Sequence, residues 1–469
     1  MNPDLPFNPN RRSFLKHACC AAVGATGMLS TLAQLRAIGA SAADSLGTGP
    51  AAAGDYKALV CLFLQGGNDS NNVVIPFDTS DYNAYAAART ILALPQDQLL
   101  AINPAKYSDG RSWSLHPSLP ELSALFGAGQ LAILANTGTL VQPTTLAQYQ
   151  SGANLPPQLF SHIDQQTQWQ SSVPDKPFTT GWGGRLADLV NAMNTNNQIS
   201  MSISLTGNNS FQVGQTVSQY AVSPNGAVVL TGSTGSANSQ SGIRYKAQTD
   251  LLSVQEASLF QTAFAGLTSN SIGDSQVLTS ALASAATLKT VFPATSTGDQ
   301  LNMIARLISA GPALGLRRQV FFAQLGGWDL HAAEMADHPG LLAEISQAMN
   351  AFYAATVELG VANAVTTFTA SDFSRTYNTN GDGSDHGWGS HHFIMGGAVN
   401  GGDIYGKMPS LVIGGADDTG RGRWIPSTSV DQYSGTLATW FGVSASNLPT
   451  VLPNLGRFSN PNLGFMASS

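Results

Sequence analysis

The sequence predicts an α/β fold, a doubly wound and mostly parallel sheet flanked by helices. Three observations lead there. Apolar, β-branched runs at 58–64, 319–325 and 365–371 have the composition of strands buried on both faces. Patterns of helical period alternate with such runs along the chain. Each run then stops at a turn rich in Gly, Asn or Asp, which sets polar side chains beyond the carboxyl ends of the strands, where open α/β sheets bind ligands.

The chain of 469 residues opens on a segment outside that fold. Asn10-Arg-Arg-Ser-Phe-Leu-Lys16 reads as a twin-arginine export signal. An Ala/Gly-rich region to about residue 35 and the small-residue cleavage pattern Ala40-Ser-Ala42 follow it. Residues 1–42 are therefore expected to be removed, leaving one α/β domain over 43–469 in the periplasm or outside the cell. The apolar part of the signal is too short and Gly-rich for a stable membrane span, and no later stretch is long enough. Cys19 and Cys20 leave with the signal, so Cys61, inside an apolar run, is a core residue without an intramolecular disulfide partner. A balance of 21 basic against 28 acidic residues, with no basic block, argues against a nucleic-acid partner.

Within the domain, 58–64 is the first strand and runs into Gln65-Gly-Gly-Asn-Asp69. His116-Pro-Ser-Leu-Pro-Glu121 caps a short helix to 126, and 130–135 is a second buried strand. Leu159-Phe-Ser-His-Ile-Asp164 opens a polar helical stretch, and Gly181-Trp-Gly-Gly-Arg185 leads into another helix. An alternating strand at 200–205 precedes a Ser/Gly/Asn-rich insertion, 207–242, read as loops and short hairpins away from the core sheet. Helical patterns at 254–266, 275–291 and 299–311 lead to the strand 319–325, which ends in Gly326-Gly-Trp-Asp329-Leu-His331. A long helix over about 339–359 feeds the strand 365–371, followed by Ser384-Asp-His-Gly-Trp-Gly-Ser-His-His392. Short strands at 393–395 and 411–413 and a helix at 436–441 complete the domain.

Four acids or clusters fall at these strand ends or in the adjoining loop: Asp69, Asp329 with His331, Asp372, and Asp385 with His386. Carboxylates and imidazoles that converge from separate loops hold zinc, and carboxylates hold hard divalent ions. Each residue also has a plainer role open to it. Asp69 suits an Asx turn, Asp372 suits a cap, and His391 and His392 suit loop or second-layer positions.

The motifs Phe63-Leu-Gln-Gly-Gly-Asn-Asp69, Ser161-His-Ile-Asp164, Thr180-Gly-Trp-Gly-Gly-Arg185, Trp328-Asp-Leu-His331, Ser371-Asp-Phe-Ser-Arg375 and Asp385-His-Gly together resemble the bacterial domain-of-unknown-function 1501 family. That family is similar to the alkaline phosphatase and sulfatase superfamily, which implies an alkaline-phosphatase-like core and one or two divalent metal ions: zinc, calcium, magnesium or manganese. The resemblance makes Asp69, Asp329, His331, Asp372, Asp385 and His386 metal-site residues, with Phe373 standing where a histidine ligand is expected. It makes Ser161 the candidate nucleophile, with Thr137 and Thr139 as rivals. Arg185 and Arg375 become candidates for holding a phosphate or sulfate group. The implied function is an exported, metal-dependent hydrolase of phosphate or sulfate esters, acting on a small-molecule or polymer-borne substrate. Two alternatives stay open: a non-catalytic exported binding or surface-assembly protein on the same fold, and a metal carrier.

Overall fold

Three of the apolar runs lie side by side in the computed structural model. It describes residues 55–467 apart from 196–197, 231, 234–235 and 255–257. The twin-arginine segment and its cleavage pattern lie outside the described residues. Strand β1 (Lys57–Leu64) is parallel to both β9 (Arg318–Leu325) and β10 (Val365–Ser371), with Leu64 level with Leu325 and with Ser371. From Ala58 to Leu64 every residue of β1 is buried, as a strand covered on both faces requires. Cys61 sits there as a free thiol whose pKa burial raises, so it is packing rather than chemistry.

On one flank of this trio, β6 (Ser202–Ser204) pairs in parallel with β9 and then β7 (Tyr220–Ser223) with β6, and β7 turns back on β8 (Gly226–Ala227). On the other, β13 (Ser390–Met395) runs antiparallel to β10 and to β5 (Leu131–Gly138). β5 pairs in parallel with β14 (Ile404–Gly406) and β15 (Thr428–Ser429). The result is a large, mostly parallel sheet. Beside it lie a small antiparallel sheet of β2 (Val74–Pro76), β3 (Leu100–Ile102) and β4 (Trp113–Leu115), and the two-stranded pair β11 (Arg375–Thr379) and β12 (Ser384–His386). The helices Ser296–Ala310 and Glu334–Glu358 pack on each other in one group. Trp182–Val190, Val430–Phe441 and Leu448–Val451 form another.

Several elements differ from the sequence reading. Residues 411–413 are not a strand: Leu411 takes a left-handed backbone (φ 58°), Val412 and Ile413 are exposed, and no strand among the described residues pairs with them. The insertion is not wholly apart from the sheet, since Tyr220–Ser223 extends it. The two helical patterns at 254–266 and 275–291 belong to one helix, Leu259–Ser284, and 285–291 lie beyond its end. A helix at Thr79–Arg89 has too little apolar periodicity to announce itself; it delivers a buried arginine instead. No helix among the described residues is long and apolar enough to cross a membrane.

Candidate metal centre

The level carboxyl ends of β1, β9 and β10 bring three loops together. After β1, Gly66 has φ 123°, and a Cβ there would lie 2.5 Å from the backbone nitrogen of Asp329. Only glycine permits that approach. It lets the Gly66 N–H donate to Asp372 Oδ1 at 3.2 Å, so the loops after all three strands are tied at one point. Asp372 directly follows β10, Asp329 comes four residues after β9, and β12 ends on His386. His162 arrives from elsewhere, as the first residue of the helix His162–Ser171.

Three imidazoles converge on the Asp329 carboxylate. His162 Nε2 is 3.4 Å from Oδ2, while His331 Nε2 and His386 Nε2 are 3.1 and 3.3 Å from Oδ1. His331 Nε2 and His386 Nε2 are themselves 2.9 Å apart. His162, Asp329 and His386 form a group whose potential ligand atoms all lie within 4.8 Å of one another. The ring of Phe373 packs against the imidazoles of His162 and His386 at centroid distances of 4.9 and 4.7 Å. It thus walls the centre at the position where the family resemblance implies a histidine ligand.

The opposite nitrogen of each ring is spoken for. His386 Nδ1 lies 2.6 Å from the Phe160 carbonyl oxygen, which can only accept, so Nδ1 carries the proton and Nε2 presents a lone pair. His162 Nδ1 lies 2.7 Å from Asp372 Oδ2, and His331 Nδ1 lies 3.1 Å from Asp385 Oδ1. Both carboxylates fix the same tautomer and leave Nε2 facing inward. Three lone pairs therefore aim at a carboxylate, an arrangement that needs a shared proton or cation. His162 Nε2 is in addition buried without any hydrogen-bond partner. A divalent ion fits these residues: histidine ligands whose far nitrogen donates to a carboxylate or carbonyl are the usual support of a metal site.

Neighbouring charges and burial set the titration of the centre. Burial raises the Asp329 carboxyl, but the hydrogen bond and charge of Arg375, 2.7 Å away, together with His162 and His331, hold that pKa below the usual range. The Asp372 hydrogen bond lifts His162, whereas burial lowers His386 and favours its neutral form. Asp385 is shared between His331 and Arg421. Asp372 is fully buried and also accepts from Gln166 Nε2 at 2.8 Å, so it stands behind His162 rather than beside Asp329.

Asp69 is not brought to this group. Its oxygens meet Arg89 and Asn71, and Arg89 also pairs with Glu334 at 3.3 Å in a buried cluster. Burial and the Asp69 charge push the Glu334 carboxyl up to about 8. Ser161 occupies the N-cap of the His162 helix without capping it, and its hydroxyl donates to Asp164 Oδ2 at 2.6 Å. Arg185 gives its donors to the carbonyls of Val451, Thr180 and Ser171 at 2.8, 2.7 and 2.6 Å. Arg375 is buried and divided among Asp329, Gly66 and Ser384. Thr137, Thr139, His391 and His392 are buried on or beside the sheet.

Three contributors were missed in the sequence: His162, the Phe160 carbonyl, and the loop carrying Arg421 and Arg423. His162 directly follows Ser161 in the Ser-His-Ile-Asp motif, so its signal is present in the sequence. Phe160 is held at φ 71°, a backbone region bulky residues rarely enter, which aims its carbonyl at His386.

The chain belongs to the family described as "Protein of unknown function (DUF1501)", whose model matches residues 56–419. A comparison with curated proteins gave no match. Among solved structures it is similar to the PsFucS1 sulfatase from Pseudoalteromonas sp., with 10% identity, 89% of this chain and 73% of that chain covered, and a TM-score of 0.35. It is also similar to Ps i-CgsB in complex with k-i-k-neocarrahexaose, with 9% identity, 86% and 77% covered, and a TM-score of 0.33.

Proposed function

We propose that this member of the DUF1501 family is an exported, metal-dependent hydrolase of phosphate or sulfate esters, with its centre at His162, Asp329, His331 and His386. The observation that carries the reading is the convergence of three Nε2 lone pairs on Asp329, each imposed by a bonded Nδ1. Imidazole donors with one carboxylate suit a zinc-type ion better than calcium or magnesium, which favour all-oxygen sites. Bound at these residues, such an ion would supply a low-pKa water and would neutralise charge on the transferred group. The protein's own residues orient and shield. Arg375 fixes the Asp329 carboxylate, Asp372 and Asp385 fix two imidazoles, and the Phe373 ring packs against the rings of His162 and His386. Ser161 is the alternative nucleophile, with Asp164 placed to take its proton.

The test is metal analysis of the purified protein, followed by a screen of phosphate and sulfate esters against the wild type and His386→Ala. Retained metal and a hydrolysis rate that both collapse in the variant are expected. A protein that holds no ion, with any esterase rate unchanged by the variant, would sink the reading. A second reading, a binding protein on the same fold, draws on the Phe373 wall and on Ser161 being hydrogen-bonded to Asp164; it expects metal retention and polymer binding without turnover.

A further inference from the structure

Arg185, Arg375, Arg421 and Arg423 differ in what remains free. Arg375 and Arg185 spend their guanidinium groups on acceptors inside the protein, as described. Arg421 is half-exposed, but it pairs with Asp385 and reaches the Thr379 carbonyl at 3.4 Å. Arg423 spends only Nε, which donates to the His386 carbonyl at 2.7 Å. Its guanidinium carbon lies 4.9 Å from the centroid of the Phe160 ring. No acceptor among the described residues takes its two Nη groups.

That side chain is held ready. The loop bearing it is organised by the buried Asp418, whose Oδ1 accepts the backbone N–H groups of Gly420, Gly422 and Arg423 at 2.7, 2.8 and 3.1 Å. Thr419 Oγ1 donates to the Arg423 carbonyl at 3.1 Å. Stacking on an aromatic ring and one fixed Nε bond remove most of the freedom an arginine otherwise loses on binding. The residues that fix it, Phe160 and His386, are the ones that meet at His386 Nδ1. A planar fork of free N–H donors suits two oxygens of one tetrahedral group.

We propose that Arg423, steadied by Phe160 and the His386 carbonyl, is the anion-recognising side chain of this site, and that its ligand is a tetrahedral oxoanion, a phosphate or sulfate group. The proposal rests on the site reading above and gives it a substrate-recognition residue that neither Arg185 nor Arg375 is free to be.

The experiment is calorimetric titration of inorganic phosphate and, separately, inorganic sulfate into the full chain, as wild type, Arg423→Lys and Arg423→Gln, with metal content measured on each sample. Wild type should bind at least one anion, and Arg423→Gln should weaken it about tenfold or more at unchanged metal content. Arg423→Lys, which keeps the charge and loses the fork, should fall between and guards against a Gln variant that misfolds. Preference between the two anions identifies the ester class. A wild type that binds neither, or both variants with wild-type affinity, overturns the proposal. If no metal is present yet binding still depends on Arg423, the metal reading fails and this one stands.

Discussion

Asp372→Asn is the perturbation that most directly tests the geometry of the centre. Asp372 is fully buried and accepts three donors, Gly66 N–H on Oδ1 and His162 Nδ1 and Gln166 Nε2 on Oδ2. Asparagine has one acceptor oxygen, so its amide nitrogen must oppose at least one of these donors. If the nitrogen faces His162, the imidazole adopts the other tautomer and its lone pair turns away from Asp329. Loss of such outer support costs about 10- to 100-fold in metal affinity, or roughly 1.4 to 2.7 kcal/mol. If the oxygen faces His162, the Gly66 N–H is opposed instead, at a cost of about 1 to 3 kcal/mol in fold stability. Competition of the protein with a chromophoric chelator for zinc reads the first quantity, and thermal denaturation of the metal-free protein reads the second. Asp385→Asn serves as the internal comparison, because His331 is the most exposed of the three imidazoles and should lose less. An Asp372→Asn protein that keeps both wild-type affinity and wild-type stability would refute the reasoning.

Two further outcomes follow from residues outside the ligand set. The unfolded chain releases the Glu334 proton near its ordinary 4.5, whereas the fold retains it to about 8, so between those values the fold binds more protons and stability falls as pH rises, by up to ~1.4 kcal/mol per pH unit. Glu334→Gln should flatten that slope in denaturant titrations between pH 5 and 8, and an unchanged slope would assign it elsewhere. Asp69, held low by Arg89 against the upward push of burial, acts in a separate window, losing its contribution as pH falls below 3.8. Gly66→Ala should destabilise the protein by about 1 to 3 kcal/mol and weaken metal binding without removing a ligand, since φ 123° and the Asp329 backbone leave no room for Cβ. Wild-type stability and metal affinity in that variant would contradict the packing described.

Much of the architecture could be read from the chain because its central strands are covered on both faces and so are written as runs rich in apolar and β-branched residues. Asp329 and His331, which the structure gathers with His386, were legible for a related reason: polar residues a few positions past such a run are carried to the edge of the sheet, whereas His386 stood out only through the Asp-His pair in the loop after 365–371. The remainder was hidden by long-range partners. Nothing near Asp69 signals that Arg89, twenty positions on, will claim its carboxylate. Nothing in Leu411-Val-Ile413 distinguishes a strand from an exposed loop. Arg423 could not be singled out because the loop around it is ordered by backbone bonds to Asp418, which leave no periodic trace.

The wide spacing of the centre has a consequence for folding. His386 meets Phe160 across 226 positions, His162 meets Asp372 across 210, and Asp329 meets His386 across 57. An ion bound there would act as a cross-link between segments that an unfolded chain keeps far apart, so only the completed fold could retain it. Its occupancy would then add to unfolding free energy by mass action, about 2.7 kcal/mol at a hundredfold excess over the dissociation constant. The centre would double as a checkpoint, and a metal titration monitored by melting temperature would measure how completely the chain has found its final topology.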